Sequence, residues 1–446
     1  MEDNKNNGSN STKKFSSRFG FLVACVGSAV GMANVWGFPY KLGAYGGGAF
    51  LVAYLFFTVV FGYVGLGAEY AIGRRSLHGP VGAFEYAWGT VNKSGLGKLI
   101  GWLPLAASMC IAIGYAVIIS YVLKGWTQSV TGSLMTVDPG PWFESFSLTE
   151  FSVVPYHIIV IIGSLLTLTM GASSIEKTNK IMMPLFFILF IILAIRVAFL
   201  PGAFEGYKFL FIPRWEHLLN PWTWIWAMGQ SFFSLSINGS GMIVYGAYLS
   251  KDEDIVASGR DTAIFDTIAA MTAALVMIPA TFAYGMDPAA GPGLLFVTLP
   301  TILQNMAGGS IFAIILFTAV VFGGISSIQN MFEVVAESVM YQFPKLKRNI
   351  ALIIILVITF GFGIFMEPIY DWGPWMDLVS IYIIPIGALI GAITWFWIMK
   401  KEDLMDEINL GAKKPHGDGW YNIGRYLYTP LTLILCLVAL LTRTSF

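Results

Sequence analysis

The residues able to do chemistry are concentrated in two short runs, GSAVGMAN at Gly27–Asn34 and SLSINGSG at Ser234–Gly241. In both, glycine, serine and asparagine interrupt long apolar segments. A helix that stops inside a bilayer leaves N–H groups unpaired at one end and carbonyls at the other. Such backbone survives at that depth only when it is buried in protein or lines a cavity. Two breaks therefore point to a binding site, with carbonyl and hydroxyl oxygens for a desolvated cation and positive helix ends for an anionic group. Asp266, an acid inside an apolar segment, is a functional candidate by the same logic. No Ser-His-Asp arrangement, metal-binding spacing or phosphate loop occurs, and His78, His157, His217 and His416 are scattered, so the pattern is not that of an enzyme.

The elements that must position these runs are membrane helices. The chain is 56% hydrophobic and 12% charged, far from an ordinary soluble domain. Its 26 basic and 26 acidic residues cancel, giving no argument for nucleic acid. Cys25, Cys110 and Cys436 all lie in apolar segments and form no disulfide or metal framework. Residues 1–18 are polar and the first apolar segment is full length, so it is expected to remain as a span. Eleven stretches match a hydrocarbon core of about 30 Å. They lie near 19–43, 49–72, 99–123, 154–171, 179–200, 221–248, 261–285, 309–341, 349–367, 376–399 and 424–442. With the N-terminus inside, 20 of the 26 basic residues fall on the cytoplasmic side, which leaves the C-terminus outside in a plasma membrane.

Five spans separate the two breaks, so the second half enters the membrane from the opposite face. The organisation expected is a cytoplasmic tail at 1–18, one repeat at 19–200, an inverted repeat at 201–400, and a loop with an eleventh span at 401–446. Interrupted helices in corresponding positions of inverted halves mark a midplane site served by alternating access.

At these residues the chain resembles the neurotransmitter:sodium symporters, in particular their bacterial amino-acid branch, typified by the leucine transporter. The likeness runs from about Arg18 to Arg443. It is carried by RFGFLVACVGSAVGMANVWGFPY, YGGGAF, GQSFFSLSINGSG, SKDEDIV, GPGLLFVTLP and FGGISS, in that order. It implies an all-α polytopic fold of eleven helices with a 5+5 inverted repeat, unwound in the first and sixth, and sodium-coupled uptake of hydrophobic amino acids. It also implies a first sodium site from the Ala29 carbonyl, Asn34, Ser234, Asp266 and the substrate carboxylate. A second would use the carbonyls of Gly27, Val30 and Gly323 with the hydroxyls of Ser326 and Ser327. The bland alternative for those two serines is bonding back to their own helix.

The implied substrate pocket is Ala29, Met32, Ala33, Ile111, Tyr115, Phe233, Ser234, Ser236, Ser327 and Met331, with Tyr115 and Phe233 as the outer lid. Monoamine members carry an aspartate where this chain has Gly31, so the substrate should bring its own carboxylate. Gly239 stands where the leucine transporter narrows its pocket with a phenylalanine, which suggests room for aromatic as well as branched side chains. Asp266 replaces the usual asparagine, and Ala270 a serine that helps hold chloride, beside Tyr54, Gln230 and Ser234. Transport is therefore expected to be chloride-independent, with proton binding at Asp266 on the return step. An aspartate facing a hydrated inner vestibule is the alternative.

The gates depart from the family pattern. Gly37 replaces the outer arginine and leaves Asp377 without its partner, with Lys41 as one substitute. The inner pair aligns with Thr12 and Tyr341, leaving Lys13, Lys14, Tyr248 and Glu337 as replacements. The fifth-span hinge reads as Ser174 and Pro184, with Gly171 near. Glu69 falls where the family keeps a buried acid against the broken backbone, the plainer reading being an ion pair with Arg74 or Arg75. Two sodium ions carried with a zwitterion are worth about 4.6 kcal/mol per 100 mV, or about three decades of accumulation. An amino-acid receptor without transport is the competing class; a monomer or weak dimer is expected.

Overall fold

The computed structural model describes residues 14–289, 291 and 293–445. The helices that build the site are α1 (Arg18–Ala29), α2 (Ala33–Ala44), α3 (Gly48–Ser76), α4 (Ser94–Val130), α5 (Val154–Leu166), α6 (Ala172–Ala198), α7 (Pro221–Ser234), α8 (Gly241–Ala247), α9 (Ile255–Ala283), α10 (Gly309–Gln342), α11 (Arg348–Met366), α12 (Ile369–Ile398) and α13 (Asp418–Thr442). Among the described residues eight helices are long and apolar enough to cross a membrane, and α1 with α2, bent by 56° at their junction, makes a ninth. The two remaining expected spans fall on α5, 13 residues long, and on the interrupted pair α7 and α8.

Local chemistry sets these boundaries. Ser17 caps α1 by accepting from the Gly20 N–H, Asn220 caps α7 by accepting from Trp222 ahead of Pro221, and Asp254 caps α9 by accepting from Ala257. Helix α1 ends where Val30 turns extended, at ψ 96°. Helix α7 ends at Ser234, and Ser236 then adopts φ 54°, a left-handed conformation uncommon outside glycine.

Helix α10 is the central post, packed along α4 and α6. Helix α6 instead turns a stripe of Ile181, Leu185, Ile188, Ile192 and Ile195 outward. Their three- and four-residue spacing is that of one helix face, here suited to lipid. Arg74, fully buried at the end of α3, donates to Glu407 Oε1 at 2.5 Å and to the carbonyls of Ser250, Glu253, Glu407 and Leu410 at 2.7–3.1 Å. All five guanidinium donors are thereby used to tie the loop after α8 to the segment before α13.

Candidate functional site

Helix α9 brings Asp266 against both breaks. Asn34 Nδ2 donates to Asp266 Oδ1 at 2.7 Å and to its carbonyl at 3.0 Å, and Tyr54 donates to Oδ2 at 3.3 Å. The Ser234 hydroxyl lies 2.7 and 2.9 Å from the two carboxylate oxygens and 3.4 Å from Asn34 Oδ1. All four side chains are buried. The cluster gathers carboxylate, amide and hydroxyl oxygens away from water, a donor set suited to a small hard cation. Asp266 does not face a hydrated vestibule, because Tyr54, Asn34 and Ser234 enclose it.

A second cluster joins α1 to α10. Ser327 Oγ lies 3.5, 3.2 and 3.4 Å from the carbonyls of Gly27, Ser28 and Val30. Ser326 instead donates to Gly323 O at 2.8 Å, so one of the two serines bonds back to its own helix while the other crosses to the break. A methyl group added at Gly31 would fall 2.2 Å from Ser327 Oγ, so glycine is required for this approach.

Between the clusters is an enclosed cavity of about 30 Å³, lined by both breaks, by Ile111 and Tyr115 of α4, Ser327 and Met331 of α10, and Ile384 of α12. Above it opens a vestibule of about 250 Å³ that contains Trp36, Lys41, Trp372 and Asp377. Tyr115, Phe233 and Ala33 line both, so the two aromatic rings form the partition.

The comparisons with known proteins agree with this geometry. A profile described as "Sodium:neurotransmitter symporter family" matches residues 12–151 and 143–445. The chain belongs to that family. Among curated relatives of this symporter, an uncharacterized sodium-dependent transporter of Bacillus subtilis (strain 168), YhdH, is 29% identical across 97% of this chain and 98% of its own. One of Methanocaldococcus jannaschii is 30% identical across 92% and 86%. Among solved structures, that of MhsT in complex with L-phenylalanine superposes with a TM-score of 0.85 at 32% identity, covering 96% of this chain and 99% of the other.

Of the expected pocket residues, the symporter brings Ala29, Ala33, Ile111, Tyr115, Phe233, Ser236, Ser327 and Met331 to the enclosed cavity. Met32 lines the vestibule instead, and Ser234 is committed to Asp266. Gly239 does not line the cavity, which corrects the expectation of a widened pocket there. At φ 75° its N–H donates to Glu69 Oε1 at 2.7 Å, and a Cβ would stand 3.2 Å from the Gly387 carbonyl and 3.4 Å from Pro104. The missing ring is thus replaced by close backbone packing. Ser28, Phe232, Ile237, Asn238 and Ile384 complete the lining. All but Ile384 adjoin a break and were within reach of its sequence signal. Gln230 braces the start of α2, its Nε2 donating to Ala33 O at 2.8 Å.

Glu69 holds the second break and makes no pair with the neighbouring arginines, since Arg74 is taken by Glu407 and Arg75 lies near Asp403 and Glu407. At the outer gate no ion pair joins Lys41 to Asp377 among the described residues; Lys41 sits over the Trp226 ring at 5.5 Å, and Trp36 stacks on Trp372 at 6.3 Å. At the inner end Tyr248 donates to Glu333 Oε1 at 2.5 Å, and Arg348 grips the same carboxylate. Glu333 and Arg348 were missed, although Glu333 stands one helical turn before Glu337 on the same face. Glu337 itself accepts from Gly79 N at 2.5 Å and lies 3.2 Å from His78 Nδ1. Lys14 is exposed, and Thr12 and Lys13 lie outside the described residues.

The start of α1 and the three residues before it pack against the same end of the molecule. Phe15 packs edge-on against Phe21, Tyr245 and Tyr248, Arg18 pairs with Asp261 at 2.9 Å and approaches Glu253 at 3.8 Å, and Ser16 bonds Glu176 at 2.5–2.6 Å. Ser174 and Pro184 lie in the continuous helix α6, and Ser174 Oγ accepts from Met170 N at 3.1 Å and donates to Gly171 O at 3.0 Å, both ahead of the helix start.

Proposed function

We propose that this symporter uses sodium to drive uptake of hydrophobic neutral L-amino acids, aromatic and branched aliphatic, by alternating access and without chloride. The observation that carries the reading is the lining of the enclosed cavity. Apolar walls from Ile111, Met331, Phe232 and Ile384 meet a polar end of Ser28, Ser236, Asn238 and Ser327, with no acid or base among them. Such a lining offers no fixed counter-charge, so it suits a ligand whose charges balance one another, as in an amino-acid zwitterion, and whose side chain is uncharged. The neighbour MhsT is described in complex with L-phenylalanine.

In this reading Asn34, Ser234, Asp266 and the Ala29 carbonyl hold one sodium ion together with the substrate carboxylate. Gly27, Val30, Gly323, Ser326 and Ser327 hold a second. The Asp266 charge takes the place of a bound chloride. Tyr115 and Phe233 part outward to the vestibule, and the Phe15 and Arg18 contacts part inward, with unwinding between Gly171 and Pro184 as the route for water. The N-terminus lies in the cytoplasm of a plasma membrane and the C-terminus outside.

The test is uptake of labelled tryptophan, phenylalanine and leucine into proteoliposomes under inward sodium or potassium gradients, with chloride or gluconate as anion. Accumulation that requires sodium, ignores chloride, and is competed by aromatic and branched amino acids but not by glutamate or lysine is expected. Sodium-dependent binding without accumulation would identify a receptor instead.

A further inference from the structure

One buried polar group beside the second cluster has no work in the account above. Asn179, two turns into α6, is 0% exposed. Its Nδ2 donates to Ile175 O at 2.9 Å and to Gln329 Oε1 at 2.8 Å, and Gln329 in turn donates to Thr178 Oγ1 at 2.9 Å. With both Nδ2 hydrogens committed to acceptors, the amide cannot be reversed without facing its oxygen to the Ile175 carbonyl. Its Oδ1 is thereby fixed, and among the described residues no donor reaches it. A buried amide oxygen left unpaired is destabilising and calls for an explanation.

The direction of that oxygen supplies one. A methyl group added at Gly27 would fall 2.2 Å from Asn179 Oδ1 and 3.1 Å from Ser326 Cβ. The unpaired oxygen therefore stands against the residue that contributes a carbonyl to the second cluster and beside the one that contributes a hydroxyl. Asn179 also lies toward the end of α6 where Gly171 starts the helix at φ 62° and Glu176 receives Ser16. This is the end expected to open to the cytoplasm. A neutral amide oxygen is a hard ligand of the kind sodium takes.

We propose that Asn179 Oδ1 is a further sodium ligand, which receives the second-site ion as it moves from the Gly27 carbonyl toward the cytoplasm. Gln329 positions this oxygen. The inference rests on the second sodium site of the proposed function, and its failure is separable from the failure of that reading.

The experiment uses the full-length protein in detergent or nanodiscs. Half-saturating sodium and lithium are read from binding of labelled phenylalanine, and stopped-flow mixing into sodium-free buffer gives the rate of release. Asn179→Leu keeps the approximate shape without the oxygen, whereas Asn179→Asp keeps an oxygen and adds charge. The expected result is that Asn179→Leu raises half-saturating sodium about tenfold, the scale of one lost ligand. It should also alter the sodium-to-lithium ratio, while Asn179→Asp lowers half-saturating sodium and slows release. The thermal midpoint without sodium reports any structural effect. Unchanged sodium dependence in both variants, or an equal loss in both that follows the sodium-free midpoint, overturns the proposal. Should Asn179→Leu fail to fold, Asn179→Asp decides alone: tighter sodium and slower release support the ligand, anything else contradicts it. A wild-type protein that binds phenylalanine without sodium would overturn the functional reading itself.

Discussion

Replacing Asp266 by asparagine keeps the side chain's shape and removes its charge, which makes it the sharpest probe of the first cluster. A cation held by Ser234 and Asn34 must sit close to the carboxylate, since its oxygens are 2.7–2.9 Å from Ser234 Oγ and 2.7 Å from Asn34 Nδ2. Unit charges about 4 Å apart at an effective dielectric of about 20 attract by about 4 kcal/mol. Part of that is offset by no longer having to desolvate the carboxylate, which leaves about 2–3 kcal/mol, or about 30- to 150-fold in sodium affinity. Half-saturating sodium for substrate binding, measured in gluconate to exclude chloride, should rise by that factor in Asp266→Asn. Adding Ala270→Ser one turn along α9 should make the remaining binding respond to chloride. An Asp266→Asn protein with sodium dependence within about twofold of wild type would refute the electrostatic role assigned to this carboxylate.

Three further outcomes follow from the geometry. Gly31→Ala, whose methyl would overlap Ser327 Oγ at 2.2 Å, should raise half-saturating sodium at least about tenfold by pushing that hydroxyl off three carbonyls; equilibrium binding on folded, monodisperse protein reads it. Arg74→Met leaves Glu407 and four backbone carbonyls without their donor, and removal of one partner of a buried pair costs about 3–5 kcal/mol, visible as a lower thermal midpoint in detergent. Phe15→Ala removes three edge-on ring contacts from the inner closure. In a Cys110→Ser, Cys436→Ser background it should speed maleimide labelling of the buried Cys25 several-fold, with unchanged labelling counting against this segment as the inner latch.

The parts of the site legible in the sequence are those written in backbone-breaking residues. Gly31 and Ser236 stand just past the ends of α1 and α7, so the two breaks and the clusters of Asn34, Ser234, Asp266 and Ser327 lie where the segments place them. The misread features depend on which side chain another helix presents. Gly239 suggests space by its lack of a ring, yet Gly387 and Pro104 approach and fill it. Glu333 and Arg348, 15 residues apart on consecutive helices, meet Tyr248 from 85 residues before Glu333, a pairing no local pattern encodes. Phe15 precedes α1 and Arg18 is its first residue, and nothing local there tells of the Tyr245, Tyr248 and Asp261 surfaces that receive them.

The central claim, that sodium and a neutral amino acid cross together, is tested most directly by voltage. Proteoliposomes with equal sodium on both sides and an inside-negative potassium diffusion potential contain no sodium gradient, so only charge moving with the substrate can drive uptake. Two sodium ions per zwitterion predict accumulation of labelled phenylalanine that approaches about three decades per 100 mV in tight vesicles and vanishes when choline replaces sodium at the same potential. Uptake that equilibrates at the external concentration whatever the potential would contradict the account.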